Sequence, residues 1–479
     1  MDLLRSTLTR ARAALERGEV SSEELTRALI RQARRVQPVL NAFIAIDEDD
    51  ALAAARRADA ERGDARRTGG TLAALHGIPL AHKDMFYRAG RASTCGSRIL
   101  AQEIQPATAT VLARLDAAGA FEFGRLGMSE FAYGVTGHNV HYGDVGNAWD
   151  AAHVAGGSSS GSASSVAACA NFAALGTDTG ASVRVPAACN GIVGIKTTFG
   201  AVSRAAAMPL SQSLDTVGLL ARSVEDCALV FGVIAGADPA DPPTSQWPFR
   251  DGWSWAPRED LRGVRVGVAE NFGHGDCSGE VAAAYAQSLD ALRARGAEIV
   301  AVSVPDPDEL QRAAMVVLQA EPAALHRQWM QTRAADYSPQ VLTRLQAGLS
   351  IPAHEYIDAL RLRSPMLERM RREVFAHCDA LHAPVLTFAV PTRAETDVGG
   401  GPRMREMVSA FGRLTRPINF LGLPALSLPA GLAGGLPVGF QLIGPRFSEA
   451  VLFGIGAAYQ AERGFVDWHP QIAQDAGAA

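Results

Sequence analysis

The sequence predicts an α/β protein, and three observations predict it. Short apolar runs rich in Val, Ile and Leu alternate with longer stretches of helical periodicity along the whole chain, the pattern of strands and helices packed in layers. No segment repeats. Hydrophobic residues make up 48% of the 479 residues and charged residues 20%, which suffices for a sizeable core and is too apolar for a disordered chain.

The elements follow in order. The charged N-terminal stretch MDLLRSTLTRARAALERGE reads as helical. Ser21 and Glu24 have capping-box spacing at the head of a helix over 22–36, which Gln37-Pro38 is expected to stop. AFIAI (42–46) reads as a strand, 49–62 as an Ala- and Arg-rich helix, and IPLAH (78–82) as a short strand ending beside Lys83. A helix over 108–119 precedes a strand at 121–124. A Gly/Ser loop at 156–161 leads into SASSVAACANFAAL (162–175), expected to be a small-residue helix of about twelve residues that packs closely on a sheet. GTDTGASVRVPA begins as loop, and CNGIVGIKTTFG as loop, short strand and turn. The Pro-, Asp- and Trp-rich segment 237–262 is a candidate boundary. Beyond it VRVGVAE, the helix 279–295 and AEIVAVSV form a β-α-β unit, and 308–378 is mostly helical. APVLTFAVP (383–391), PALSLPA and VGFQLIG read as strands, and 448–462 as a closing helix. One domain spans 1–479, with room for a smaller subdomain at roughly 262–380.

Charge and composition exclude several functions. The net charge of −5, without a basic stripe or interleaved aromatics, does not suggest nucleic-acid binding. No apolar run is long enough for a membrane span, and the N-terminal stretch lacks the apolar region of a secretory signal. Six scattered cysteines without a CxxC pair fit reduced thiols in a cytoplasmic protein. The eleven histidines show no paired metal-ligand spacing, and His138 and His141 in GHNVHYG lack further ligands, so neither a metal nor another cofactor is expected.

Lys83 and Lys196 are the only lysines among 45 Lys and Arg residues. Arginine supplies positive charge everywhere else, so these are positions where arginine does not serve. A buried lysine can lose its proton and act as a base, whereas arginine stays charged. Both lysines flank serine- and glycine-rich stretches. A serine hydroxyl needs a base within hydrogen-bond reach to become a nucleophile. No histidine lies inside these motifs, although His153 is near. Gly157-Ser-Ser-Ser-Gly161 matches the letters of a nucleophile elbow without an apolar strand before it. A Ser-Lys arrangement is the stronger reading. The competing reading, a phosphate-cradling loop, lacks GxxxxGK[ST].

These motifs resemble the amidase signature family. The matching segments are GIPLAHKD (77–84), GGSSSGSASSVAA (156–168), GTDTGASVRVPAACNGIVGIK (176–196), SLDTVG (213–218), RPINFLGLPALSLPAG (416–431) and GLPVGFQLIG (435–444). The resemblance runs over essentially the full length. It implies a mixed central β-sheet covered by helices on both faces. It also implies a Ser-cisSer-Lys triad, with Lys83 as base, Ser158 as bridge after a cis Gly157–Ser158 peptide, and Ser182 as nucleophile 24 residues further on. Thr179, Gly180, Ala181 and Ser182 would then supply the oxyanion N–H groups. Lys196 corresponds to a structural lysine that donates to an ion pair or hydrogen bond. Asp178 and Arg184 would support the nucleophile loop.

Three positions depart from the family pattern. Ala181 replaces a glycine before the nucleophile, and is strained if that position needs positive φ. Ser160 replaces a glycine of the Gly/Ser loop, and Thr197 replaces a proline. For the substrate, Met85, Met128, Phe131, Tyr133, Gly157 and Met208 lie in or beside motif loops and are candidates for the pocket wall. Tyr133 and its neighbours look most like stand-alone hydrolases, including biuret-type, aryl-amide and urethane-cleaving members. The order of readings is a small-molecule amidase acting on uncharged, small or aromatic amides, then a carbamate (urethane) hydrolase, then the glutaminase subunit of a tRNA amidotransferase. That subunit carries an acid before P-x-N to hold the glutamine amine, where this chain has Gly412. A non-enzymatic binding protein comes last. The resemblance is also compatible with a homodimer.

Overall fold

The computed structural model describes residues 4–250 and 252–474. Eleven strands are seen among them: β1 (Phe43–Ile46), β2 (Pro79–Lys83), β3 (Phe121–Leu126), β4 (Ala173–Asp178), β5 (Val193–Lys196), β6 (Thr216–Ala221), β7 (Arg265–Val268), β8 (Glu298–Ala301), β9 (Ala380–Pro384), β10 (Ala425–Ala433) and β11 (Leu436–Ile443). Eight form one mixed sheet in the order β4-β6-β5-β10-β11-β9-β7-β8, and β1-β3-β2 form a small second sheet. The large sheet is antiparallel from β4 through β9. Its far edge is parallel, where β7 pairs with both β9 and β8. The β-α-β unit expected after residue 262 therefore continues the central sheet.

Strand alternation places helices on both faces. Leu426 and Leu428 of β10 point toward Gly456 of the helix Glu449–Arg463, where an added Cβ would lie 2.7 Å from Leu426. Ser427, between them, faces the helix Arg184–Asn190 and donates to the Arg184 carbonyl. Tight approach to that second helix requires glycine opposite: a Cβ on Gly439 would meet Ala188 at 2.5 Å.

Local signals held where they were strong. The Ser21 hydroxyl accepts from the Glu24 N–H at 3.1 Å, and the Glu24 carboxylate accepts from the Ser21 N–H at 2.8 Å. Four expectations are corrected. The helix Ser22–Leu40 runs through Pro38, which falls in its last turns, and Gln37 secures the exit by bonding both backbone groups of Phe43. The small-residue helix is shorter, Ser160–Ala167, because Ala173–Leu175 pair with Leu219–Ala221 of β6. Residues 184–190 are helical although the sequence showed only loop. The strand expected at 383–391 is β9, displaced to Ala380–Pro384; after it Val385, Leu386 and Val390 turn into a separate apolar cluster with Ala181, Val185 and Phe411. In the Pro/Asp/Trp segment, Trp253 packs edge-on against Phe231 at 4.8 Å, and Trp247 also faces Phe231.

Candidate active site

Lys83 is the last residue of β2, which pairs in parallel with β3 and packs beside β4. β4 runs antiparallel to β6 down to Asp178, and the chain then turns through Thr179–Val183 into the helix Arg184–Asn190. The Gly/Ser loop enters from the other side. Gly156 has φ +73°, and a Cβ there would sit 2.8 Å from Pro186 Cα, so that helix and the loop touch backbone to backbone. The Gly157–Ser158 peptide is cis.

These elements bring three polar side chains together in the interior. Lys83 Nζ lies 2.8 Å from Ser158 Oγ and 2.8 Å from Thr177 Oγ1. Thr177 Oγ1 in turn contacts Met85 Sδ at 3.1 Å. The Ser159 N–H donates to the Ser182 carbonyl at 3.2 Å, which fixes the turn carrying Ser182 against the residue after Ser158. Burial pushes Lys83 down to about 7, with Asp178 and Asp215 pulling the other way. It is therefore half neutral near neutral pH, as a base must be.

Lys196 is equally buried and is also pushed down to about 7 by burial and by Arg184, so titration does not separate the two lysines. Geometry does. Lys196 Nζ donates to the Thr197 carbonyl at 2.8 Å, and among the described residues no serine hydroxyl is bonded to it. The neighbouring acid of the K-D pair holds backbone instead. The Asp84 carboxylate accepts from the Thr94 N–H at 2.9 Å and from the Thr94 hydroxyl at 2.5 Å, tying down the loop after β2.

The turn that carries Ser182 is held by residues of the other motifs. Asp178 and Arg184 form a two-pronged ion pair at 3.0 and 3.1 Å, both fully buried. Burial alone would raise Asp178, but Arg184 and Lys196 hold it down at about 2. The Asp178 carboxylate also accepts from the Val183 N–H at 3.1 Å. Asn419 of the P-x-N segment donates to the Asp178 carbonyl at 2.8 Å. Asp215 of SLDTVG accepts from the Thr179 hydroxyl at 2.6 Å. Among the described residues, no group of the chain accepts from the N–H of Gly180, Ala181 or Ser182. Ala181 has no positive φ, so alanine is unstrained there. Thr197, in place of proline, donates its hydroxyl to Val217 of the adjacent strand at 2.8 Å. The Ser160 hydroxyl is buried without a partner.

The six proposed wall residues separate in space. Tyr133 lines a small pocket with Thr179, Gly180, Ala181 and Ser182. Met85 and Met208 line a larger cavity of about 440 Å³ that reaches Thr177 behind Lys83. Gly157 lies in the Gly/Ser loop itself. Phe131 packs against His326, Trp329 and Tyr337 at 4.5 to 5.8 Å between ring centres, and Met128 is buried nearby with its carbonyl bonded to Asn139. Sequence reasoning missed Thr177, the second partner of Lys83, which had stood unremarked inside a quoted motif. It also missed Arg344 and Arg416, which line the Ser182 pocket. His138 bonds Asp144 and Thr396, and His141 bonds Glu130; among the described residues no group of three or more His, Cys, Asp or Glu is placed to hold a metal ion.

The profile of the family described as Amidase matches residues 24–453. The chain belongs to the amidase family. Its chemistry is amide hydrolysis by class, and its α/β architecture is that of the family's solved structures. Among curated relatives, a glutamyl-tRNA(Gln) amidotransferase subunit from Roseiflexus sp. (strain RS-1) is 38% identical over 489 residues, covering 97% of each chain. A structure of the peptide amidase PAM with the competitive inhibitor chymostatin superposes with a TM-score of 0.83 at 30% identity, covering 97% of this chain and 99% of the other. Another, from work on a vestigial protein complex and the evolutionary origins of an s-triazine catabolic enzyme, gives 0.85 at 31% identity over 96% and 99%. Among the described residues, no helix is long and apolar enough to cross a membrane.

Proposed function

We propose that this chain hydrolyses small carboxylic amides through an acyl-Ser182 intermediate, without a metal or other cofactor. The observation that carries the reading is the contact of a buried lysine near its titration point with the Ser158 hydroxyl at 2.8 Å. Neutral Lys83 takes the Ser158 proton as Ser158 takes that of Ser182. The Ser182 oxygen then bonds to the amide carbon, and the C=O electrons move onto oxygen. The N–H groups of the Thr179–Ser182 turn face that oxyanion. Collapse breaks the C–N bond, and the proton held on Lys83 returns through Ser158 to the departing nitrogen. Water enters by the same relay, adds to the acyl carbon and releases the acid. Thr177 holds Lys83 in line for both transfers.

Carbamates would follow the same steps. The reading as a glutaminase subunit of a tRNA amidotransferase is supported by the curated relative at 38% identity. Against it stands position 412, where glycine replaces the acid that would hold a glutamine amine. A fluorophosphonate probe, followed by peptide mapping, tests the nucleophile: one labelled serine, at 182, is expected. Labelling elsewhere, or an active Ser182→Ala, removes the assignment. A panel of primary amides, anilides, carbamates and glutamine, assayed on the isolated chain, separates the substrate readings. Turnover of glutamine alone, and only with added subunits, would make the amidotransferase reading correct.

A further inference from the structure

A second polar hollow lies apart from the reaction site. It measures about 250 Å³ and is walled by Arg12 and Glu16 of the helix Leu8–Arg17, by Arg62 and Arg66 of the helix Glu48–Thr68, and by Leu72 and His76 of the loop that leads into β2. It shares no residue with the pocket of Ser182 or with the cavity behind Lys83. Arg62 is the buried arginine of the three, at 8% exposure. Its Nη2 donates to the His76 carbonyl at 2.7 Å, while its Nε is buried without a partner. Among the described residues Arg62 makes no ion pair. Arg66 lays both Nη atoms over Gly18, where a Cβ would lie 2.7 Å from each, and donates to the Glu16 carbonyl at 3.0 Å. Arg12 pairs with Glu16 at 3.3 Å, one turn along the same helix.

Three guanidiniums face a single carboxylate across this wall, an excess of two positive charges from the arginines and Glu16. Burial and the neighbouring Arg66 charge push Arg62 down, with Asp59 and Glu16 pulling the other way. The backbone contacts account for Arg66 as a cap on the helix Leu8–Arg17 and for Arg62 as a strut to the loop before β2. They leave the Arg62 Nε and the hollow itself unexplained. A guanidinium N–H withdrawn from water without an acceptor costs free energy until an acceptor meets it.

We propose that this hollow binds a phosphate group, free or on a small phosphomonoester, held by Arg12, Arg62 and Arg66. A phosphate dianion matches the excess of two charges, and its three terminal oxygens suit guanidiniums arriving from two helices. A carboxylate brings one charge and two oxygens. The hollow has room for about eight waters, more than a phosphate group fills, so a short carbon skeleton can extend along Leu72. Bound there, the anion ties the helix Leu8–Arg17 to the helix Glu48–Thr68. Through Arg62 it also reaches the His76 carbonyl, just before the strand that ends in Lys83. The site stands whether or not Ser182 is the nucleophile.

The test is titration calorimetry of the full chain with inorganic phosphate, glycerol phosphate and acetate, at one ionic strength so that screening is equal. Both phosphate probes are expected to bind with a Kd of about 1 mM or tighter through charge-assisted hydrogen bonds, and acetate about tenfold more weakly or worse. Arg66 is exposed and the Arg12 side chain is 34% exposed, so Arg12→Gln and Arg66→Gln are expected to fold, which thermal melting checks. Each should weaken phosphate binding about tenfold. Arg62→Gln is expected to abolish it; if that variant fails to fold, the two exposed ones decide. Saturating phosphate should raise the wild-type Tm and raise it less in the variants. Tighter binding of glycerol phosphate assigns the ester as the ligand, tighter binding of inorganic phosphate assigns the free ion, and both uphold the site. No binding of either probe at about 10 mM, acetate binding as tightly as phosphate, or unaltered affinity in Arg12→Gln and Arg66→Gln would overturn it.

Discussion

In the proposed mechanism, replacing Lys83 by arginine keeps the charge and removes the base. With its value held at about 7, about half of Lys83 is neutral at pH 7, against roughly 1 in 3,000 for an ordinary lysine. An ordinary guanidinium is neutral in fewer than about 1 in 10⁵ molecules at that pH. Even at the value of about 9 that burial gives Arg416, the neutral fraction is only about 1 in 100. Titration alone therefore predicts a loss of kcat/KM between about 50-fold and 10⁵-fold, before any misplacement of the larger head group. The assay is amide hydrolysis from pH 5.5 to 9 on wild type, Lys83→Arg and Lys196→Arg, with folding followed by melting. Because only the neutral amine accepts a proton, the wild-type rate is expected to rise with pH, from about a tenth of its plateau at pH 6 to about nine-tenths at pH 8. Lys196 sits at the same value, but among the described residues its ammonium donates to the Thr197 carbonyl and to no serine hydroxyl. Lys196→Arg is expected to keep most activity and to lose about 1–3 kcal/mol of stability through overpacking. An active Lys83→Arg beside a well-folded, inactive Lys196→Arg would refute this reasoning and move the base to Lys196. A flat wild-type profile would refute the titration itself.

Ser158→Ala is expected to leave the fold intact and cut activity by several orders of magnitude, since among the described residues the hydroxyl's partner is Lys83; circular dichroism with the amide assay checks both. Asp178→Ala strands the buried Arg184 and is expected to cost about 3–5 kcal/mol in denaturant unfolding. Asp178 is depressed to about 2, so its contribution is complete above the usual carboxylate range and lost as pH falls from about 4 toward 2; wild type should lose stability in that window more steeply than a folded Asp178→Asn. Amide hydrolysis is expected to survive EDTA, and loss restored by added zinc would contradict the mechanism.

Local physics made part of this protein legible from its sequence. The capping box at Ser21 and Glu24 and the alternation of strands and helices depend on neighbours a few residues apart, and they formed as expected. Composition singled out two lysines beside serines in glycine-rich loops, and the resemblance to the amidase signature motifs singled out Lys83, Ser158 and Ser182 among them. Tertiary structure decided the rest, because it sets which distant groups meet. Ala173–Leu175 is small and helix-compatible, yet it became strand once β6 offered its edge. Val385, Leu386 and Val390 look like a strand, but they fill an apolar cluster behind Ala181. The two lysines are alike in burial and titration, and the Ser158 and Thr177 hydroxyls facing Lys83 tell them apart. Arg344 carries no local signal, and Arg416 stood in a quoted motif without a role assigned to it. One lies in a long helical region and the other before a proline, and only the fold brings both to the wall of the pocket that Ser182 lines.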